Sequence, residues 1–202
     1  PVVLSGEGAD EAFCGYKYYY YYYLWELYKN KKFDILNSEV SYLNKRFGKS
    51  TDLSENSLKK FIFSDLSFAS APDGTSLHDE SFLTKKVLKF TNNNEFYNLK
   101  KKNHVSPLKD RIYKDLFYLK IPKLLWFADR ASMSSGIECR VPFLDSRLIE
   151  HCFSLPVDLL IKKGISKNLL KKFLKDKFSY NNKKEKLYVA TPQREWIKFN
   201  LR

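Results

Sequence analysis

Apolar and polar positions recur at helical spacing over most of this chain, and at strand spacing almost nowhere. Val2, Val3 and Leu4 form a β-branched run too short for a helix and suited to a buried strand. The run stops in Ser5-Gly-Glu-Gly-Ala-Asp-Glu11, and helical pattern begins near Asp10. Residues 16–29 lack Gly and Pro and predict a continuation of that first helix, with aromatic rings on every side and so burial on more than one face. Core packing is the favoured role for these rings over stacking on a nucleobase. Residues 34–47 and 54–67 keep helical spacing, 70–75 supply turn chemistry, and weaker helical segments follow at 81–90 and 95–102. An amphipathic helix over 108–119 is interrupted at Ile121-Pro122, and Pro122 suits the first position of a helix running to about Ser134. Gly136 ends that helix. Residues 137–144 predict an extended connection, because Pro142 disfavours helix at Val141. Asp145 is placed to cap a helix over 146–153, Gly164 and Ser166 precede a stripe from Leu169 to Phe178, and Thr191-Pro192 opens a last helix through Trp196. The expectation is a mainly α chain with one N-terminal strand. A lone strand cannot satisfy its backbone, so its sheet partners are expected upstream of Pro1.

Composition narrows this. The length of 202 residues fits one domain, and 16% aromatic residues argue against disorder. No apolar run is long enough to span a bilayer. The chain opens on a strand and a polar loop rather than a signal peptide, which predicts a truncated unit. Cys14, Cys139 and Cys152 are odd in number and form no C-x-x-C pair, so reduced cysteines in a cytoplasmic protein are expected rather than zinc or disulfides. The formal charge of +13 is spread over many segments, though denser across 162–186, with no recognisable nucleic-acid module. No nucleic-acid or membrane partner is therefore expected.

The acidic loop carries the first candidate chemistry. Strand, tight loop and helix N-terminus make a phosphate-receiving arrangement, yet Glu7, Asp10 and Glu11 would repel a bare phosphate. A divalent cation between carboxylate and phosphate resolves the conflict. Plain first-turn capping is an equally good reading of the same carboxylates. The dinucleotide fingerprint fails because Gly would be needed where Glu11 stands, and no Walker loop is present. Asp129 and Arg130 lie in an otherwise apolar helix, and Glu138 and Arg140 share one side of an extended segment. Geometry alone favours a salt-bridge network there over a polar wall gripping a charged small molecule. Lys167 stands at the edge of its helix's apolar arc and in the first turn, where a cation opposes the helix dipole. An arriving anion would explain it. Chance placement in a lysine-rich chain is the alternative.

Taken in order, four motifs resemble the glutamine-hydrolysing asparagine synthetase family: the loop at 5–11 with Gly15-Tyr16, Asp129-Arg-Ala-Ser-Met133 with Glu138-Cys-Arg-Val-Pro-Phe-Leu-Asp145, Ile165-Ser-Lys-Asn-Leu-Leu170, and Thr191-Pro-Gln-Arg-Glu-Trp196 preceded by Lys183-Lys184. The middle third has no counterpart. The resemblance implies an α/β domain of the ATP-pyrophosphatase type (adenine nucleotide alpha hydrolase-like), of which residues 1–202 form a single partial domain: one strand and the helical C-terminal half. It implies ATP and Mg²⁺ as cofactors, adenylation of the aspartate side chain, and ammonia delivered from glutamine by a separate N-terminal glutaminase domain, with a homodimer as a candidate assembly. Carried over by motif, Glu7 and Lys167 would be catalytic, Ser5 and Gly6 would touch ATP, and Asp10 would help hold Mg²⁺. Tyr16, Asp129, Glu138 and Arg140 would shape the substrate pocket. Departures are plain too. The Ser-Gly-Gly-x-Asp-Ser pyrophosphate loop is absent, Cys14 replaces a glycine usual before Tyr16, and residues 186–191 lack the usual glycine. The fragment alone is not expected to make asparagine. A related amidotransferase acting on another carboxylate, or a non-catalytic helical module, are the competing readings.

Overall fold

The computed structural model describes residues 1–47, 56–57 and 106–179. The chain divides into two units, Pro1–Leu170 and Lys171–Arg202, and every candidate site residue named above lies in the first. Among the described residues the fold is mostly helical with one small parallel sheet: β1 Val2–Leu4, α1 Ala9–Ala12, α2 Tyr18–Lys29, α3 Phe33–Phe47, α4 Pro107–Lys114, α5 Ile121–Met133, β2 Glu138–Arg140, α6 Ser146–Ser154, α7 Val157–Leu160 and α8 Asn168–Phe178. A π-helical turn, Asp115–Leu119, joins α4 to α5, and a 3₁₀ turn, Pro142–Leu144, follows β2.

Two expectations about the strand are corrected. β1 has a partner within the chain: it pairs in parallel with β2, Val2 opposite Glu138, Val3 opposite Cys139 and Leu4 opposite Arg140. Part of the segment expected as an extended connection, Glu138–Arg140, is thus a second strand, while Pro142–Leu144 turns instead of extending; parallel pairing demands a long crossover between β1 and β2. Nor is β1 buried. Val2, Val3 and Leu4 are 51%, 45% and 74% exposed, since among the described residues the ladder is two strands wide and uncovered.

The first helix is also shorter than its pattern suggested. α1 is a single turn, and the chain breaks before α2 because Cys14 takes a left-handed conformation (φ 58°) and the Gly15 N–H folds back onto the Asp10 carbonyl at 2.7 Å. Burial on more than one face does hold for α2: Tyr18, Tyr19, Tyr20, Tyr22 and Tyr23 are all buried. They form the main core with Leu24, Leu108, Ile112, Leu160 and Ile161. Fully burying an aliphatic side chain such as Leu24 contributes about 1.5–3 kcal/mol.

Buried tyrosines need partners for their hydroxyls, and the π-helical turn supplies one. Asp115, fully buried, accepts at Oδ2 from the Tyr18 hydroxyl (2.7 Å), the Tyr19 hydroxyl (2.8 Å) and Arg111 Nε (3.1 Å). Burial and the Asp115 carboxylate push both hydroxyls well above the ordinary tyrosine value. The remaining caps follow sequence logic. Ser106 accepts from the Lys109 N–H at 3.2 Å and donates its hydroxyl to Glu26. Asp145 accepts from the Arg147 N–H at 3.0 Å to open α6. The Arg147 side chain bonds the same carboxylate and holds its pKa down at about 2. The segments expected at 81–90, 95–102 and 191–196, the turn at 70–75, the motif at 183–196 and all but residues 56–57 of the helix at 54–67 lie outside the described residues.

Candidate active site

The ladder delivers two loops side by side. Ser5 follows β1 and its N–H donates to the Arg140 carbonyl at 2.8 Å, so the acidic loop leaves the sheet beside the end of β2. Ligands of open parallel sheets lie beyond such carboxyl ends. Within the loop the two glycines do different work. Gly8 has φ 89°, and a Cβ there would strike the Leu144 side chain at 2.3 Å, so both conformation and packing require glycine. Gly6 is not left-handed, and a Cβ there would meet nothing within 4 Å. The Ser5 hydroxyl accepts weakly from the Glu7 N–H, at 3.4 Å.

The three carboxylates part company here. Glu7 is half-buried, with Oε2 shielded from solvent and lacking a hydrogen-bond partner. Glu11 is fully buried and accepts from the Tyr16 hydroxyl at 2.8 Å; burial pushes its pKa up, against the opposing effect of that bond. Asp10 meets Lys167, whose Nζ stands 2.7 Å from Asp10 Oδ1, both side chains about a quarter exposed. Gly15 makes room for this pair: a Cβ there would lie 1.8 Å from Asp10 Oδ1 and 2.5 Å from Lys167 Cε.

Lys167 is placed differently from its sequence reading. α8 begins at Asn168, so Lys167 precedes the helix rather than sitting on its apolar arc. It holds a left-handed conformation (φ 53°) that costs a non-glycine residue about 1–2 kcal/mol, and its N–H donates to the Phe13 carbonyl at 3.0 Å. The strain is offset by that bond and by the ion pair. Tyr16 lies behind the loop, its ring stacked on Tyr18 (centroids 5.3 Å apart) with Lys120 Nζ 3.8 Å from its centroid and its hydroxyl engaged by Glu11.

Other candidates fall further out. Glu138 and Arg140 pair with each other on one side of β2, Arg140 Nε donating to Glu138 Oε1 at 2.7 Å, and both are more than half exposed. That bond holds the Glu138 carboxyl below its usual value. Asp129 is exposed on α5 with no hydrogen bond or ion pair to its carboxylate among the described residues, so no network locks that helix to the connector; Arg130 lies over Trp126 instead, 5.8 Å from its ring. The structure pairs Asp10 with Lys167, keeps Ser5 and Glu7 a few residues before Asp10 in the same loop, and joins Ser5 to Arg140 through the backbone. It does not tie Asp129 to them.

Four buried charged groups among the described residues escaped the sequence reading: Arg111, Asp115, Lys120 and Glu39. A signal existed for the first two, since Arg111 and Asp115 form an i,i+4 pair on the apolar side of their helix. Nothing in the pattern around Glu39 distinguishes it from the other charges of α3.

Comparison with known proteins gives a consistent answer. A family model described as asparagine synthase matches residues 1–202. Glutamine-hydrolysing asparagine synthetase 1 of Bacillus subtilis is 28% identical over 207 residues, covering 98% of this chain and 32% of that protein. Asparagine synthetase 3 of the same organism is 34% identical over 100 residues, 44% of this chain and 16% of the relative. The Mus musculus enzyme is 40% identical over 68 residues, 33% and 11% of the two chains. The chain thus spans about a third or less of the length of these relatives. No solved structure matches.

Proposed function

The chain belongs to the asparagine synthase family, and from that premise we propose that it forms the C-terminal part of an ATP-pyrophosphatase-type synthetase domain that amidates aspartate to asparagine. The observation that carries the reading is the Asp10–Lys167 pair at 2.7 Å, which sets an ammonium beside an acidic loop at the end of a parallel ladder. In the proposed reaction the aspartate side-chain carboxylate attacks the α-phosphorus of ATP and pyrophosphate leaves with the bond pair. Ammonia released from glutamine in another domain then attacks the acyl carbon, and AMP departs. Lys167 would neutralise charge building on the α-phosphate and the departing pyrophosphate, a role for a fixed cation in a partly dry site. Glu7, with one carboxylate oxygen unpartnered, would take the proton from the attacking ammonia. Ser5 and Gly6 would border the nucleotide, the open face of Gly6 leaving room for it.

The residues fit Mg²⁺. Asp10 offers one carboxylate, which this ion can take from a protein when phosphate supplies further ligands. We assign Asp10 to that role; the ion would draw charge from the triphosphate. Glu138 and Arg140, exposed at the end of the ladder, would border the pocket, and Tyr16 would brace the loop from behind through Glu11. Asp129 is the weakest member of the set, exposed and unlinked to the loop. Among the described residues no helix is long and apolar enough to cross a membrane, and we place the reaction in the cytoplasm.

Pyrophosphate exchange tests the proposal. The intact protein should incorporate labelled pyrophosphate into ATP only when aspartate is present, and Lys167→Ala should reduce that exchange by at least about a hundredfold, the scale seen when one transition-state donor is removed. Exchange supported by a different acid would move the substrate assignment. Full exchange in Lys167→Ala would remove Lys167 from the site.

A further inference from the structure

Lys167 hangs from a turn that is held from outside the site. Ile165 and Lys162 bond each other's backbones, the Lys162 N–H to the Ile165 carbonyl at 3.1 Å and the reverse at 2.9 Å. At the tip, Lys163 and Gly164 are both left-handed (φ 52° and 65°). Successive N–H groups in a turn can form a concave nest that receives an anion. Here the anion comes from within the chain: Glu39, buried in α3, accepts the Lys163 N–H at 2.7 Å on Oε1 and the Gly164 N–H at 2.8 Å on Oε2. The Gly164 carbonyl is gripped as well, by the Tyr20 hydroxyl and by Arg46, each at 2.8 Å. The backbone of α3 packs so closely that a Cβ on Gly164 would lie 3.3 Å from the Tyr42 carbonyl carbon.

Two non-glycine residues within five positions, Lys163 and Lys167, are left-handed, a conformation that persists only where the surroundings over-determine it. Between the clamped tip and Lys167 lie only Ile165 and Ser166, and the Lys167 N–H is itself fixed to the Phe13 carbonyl. Both ends of a two-residue link are therefore pinned, one by Glu39 and one by Phe13, at the end of the helix α1 that carries Asp10. We propose that Glu39 is a positioning residue: its carboxylate, remote from the reacting atoms, anchors the turn that aims the Lys167 ammonium at Asp10 and the nucleotide. The proposal rests on the assignment of Lys167 to the adenylation step.

Glu39→Gln in the intact protein is the direct test, because the amide keeps one acceptor and sets an NH₂ donor against the other N–H. Two readouts are taken on folded protein: kcat and KM for aspartate-dependent pyrophosphate exchange, and the rate at which acetic anhydride acetylates Lys167, followed by mass spectrometry. We expect kcat to fall roughly 10–100-fold, the effect of displacing a catalytic group by about 1 Å, with KM for ATP changing far less. Lys167 should be acetylated several-fold faster once it leaves Asp10. Tyr20→Phe, which loosens the same tip while sparing Glu39, should move both quantities the same way by less, and it carries the test should Glu39→Gln not fold. A folded variant in which either kcat or Lys167 acetylation stays at the parent value overturns the positioning role, since a purely structural glutamate would move only the melting temperature. Parent protein without exchange for any acid would overturn the adenylation reading instead, while the acetylation readout would still decide whether Glu39 holds Lys167.

Discussion

Replacing Asp115 with alanine should open the core more than any other single change described here. Its Oδ2 serves three buried donors, the Tyr18 and Tyr19 hydroxyls and Arg111 Nε, while Oδ1 already lacks a partner. Leaving a buried hydroxyl unsatisfied costs about 1–3 kcal/mol. Stripping one member from a buried ion pair costs about 3–5 kcal/mol, because the surviving charge stays desolvated. These losses overlap, since Arg111 also lies over the Tyr18 ring at 4.8 Å and the groups respond together. A total of about 3–5 kcal/mol is the reasoned figure. Hydrogen–deuterium exchange of the α2 and α4 amides in the intact protein reads it locally. At about 1.4 kcal/mol per tenfold, protection should fall by roughly two to three and a half decades. Asp115→Asn, which keeps an acceptor, should lose less. The double change Arg111→Met with Asp115→Leu should be milder than Asp115→Ala alone, because it strands no buried charge. A loss under one decade for Asp115→Ala, or a double variant worse than the single, would refute the reasoning.

Gly15→Ala should separate fold from chemistry: the added methyl lands on Asp10 Oδ1 and Lys167 Cε, so the pair must part. We expect exchange activity to drop at least about tenfold, given the sensitivity of catalysis to misplacement, with the circular dichroism spectrum preserved; unchanged activity would sink the claim that Gly15 makes room for the pair. Glu11 offers a test in pH. Burial raises its folded value above the ordinary 4.5, with Asp10 and Asp115 acting in the same direction and the Tyr16 bond against it. A raised acid holds its proton in the folded state after the unfolded chain has lost it, so its stabilisation is complete below about 4.5 and is lost as pH rises through the folded value. Glu11→Gln should therefore flatten the melting-temperature profile above that point, and parallel profiles for parent and variant would count against the argument.

Several elements could be read in advance because a local rule decided them. Pro122 in the first turn of α5, Asp145 capping α6 and the apolar period of α3 each express a constraint carried by a few neighbouring residues. What depended on distant partners was lost. β2 looked like mere extended chain because its partner, β1, lies far away in sequence and pairing leaves no local trace. The break after α1 hid behind Cys14, a residue type that gives no hint of a left-handed backbone. At the site, residue types announced the acidic loop and Lys167 but not their pairing. The same limit concealed Glu39, whose role exists only because the turn at 162–165 folds against it.

The clamp on Gly164 reaches across 144 positions to Tyr20. On a ribosome adding about 5–20 residues per second, that separation amounts to a delay of roughly 7–30 s. Throughout that interval the early acidic segment exists with its ammonium counterpart not yet synthesised. Whatever chemistry the protein performs is thus withheld from the emerging polypeptide and becomes available only when translation has passed the later segment.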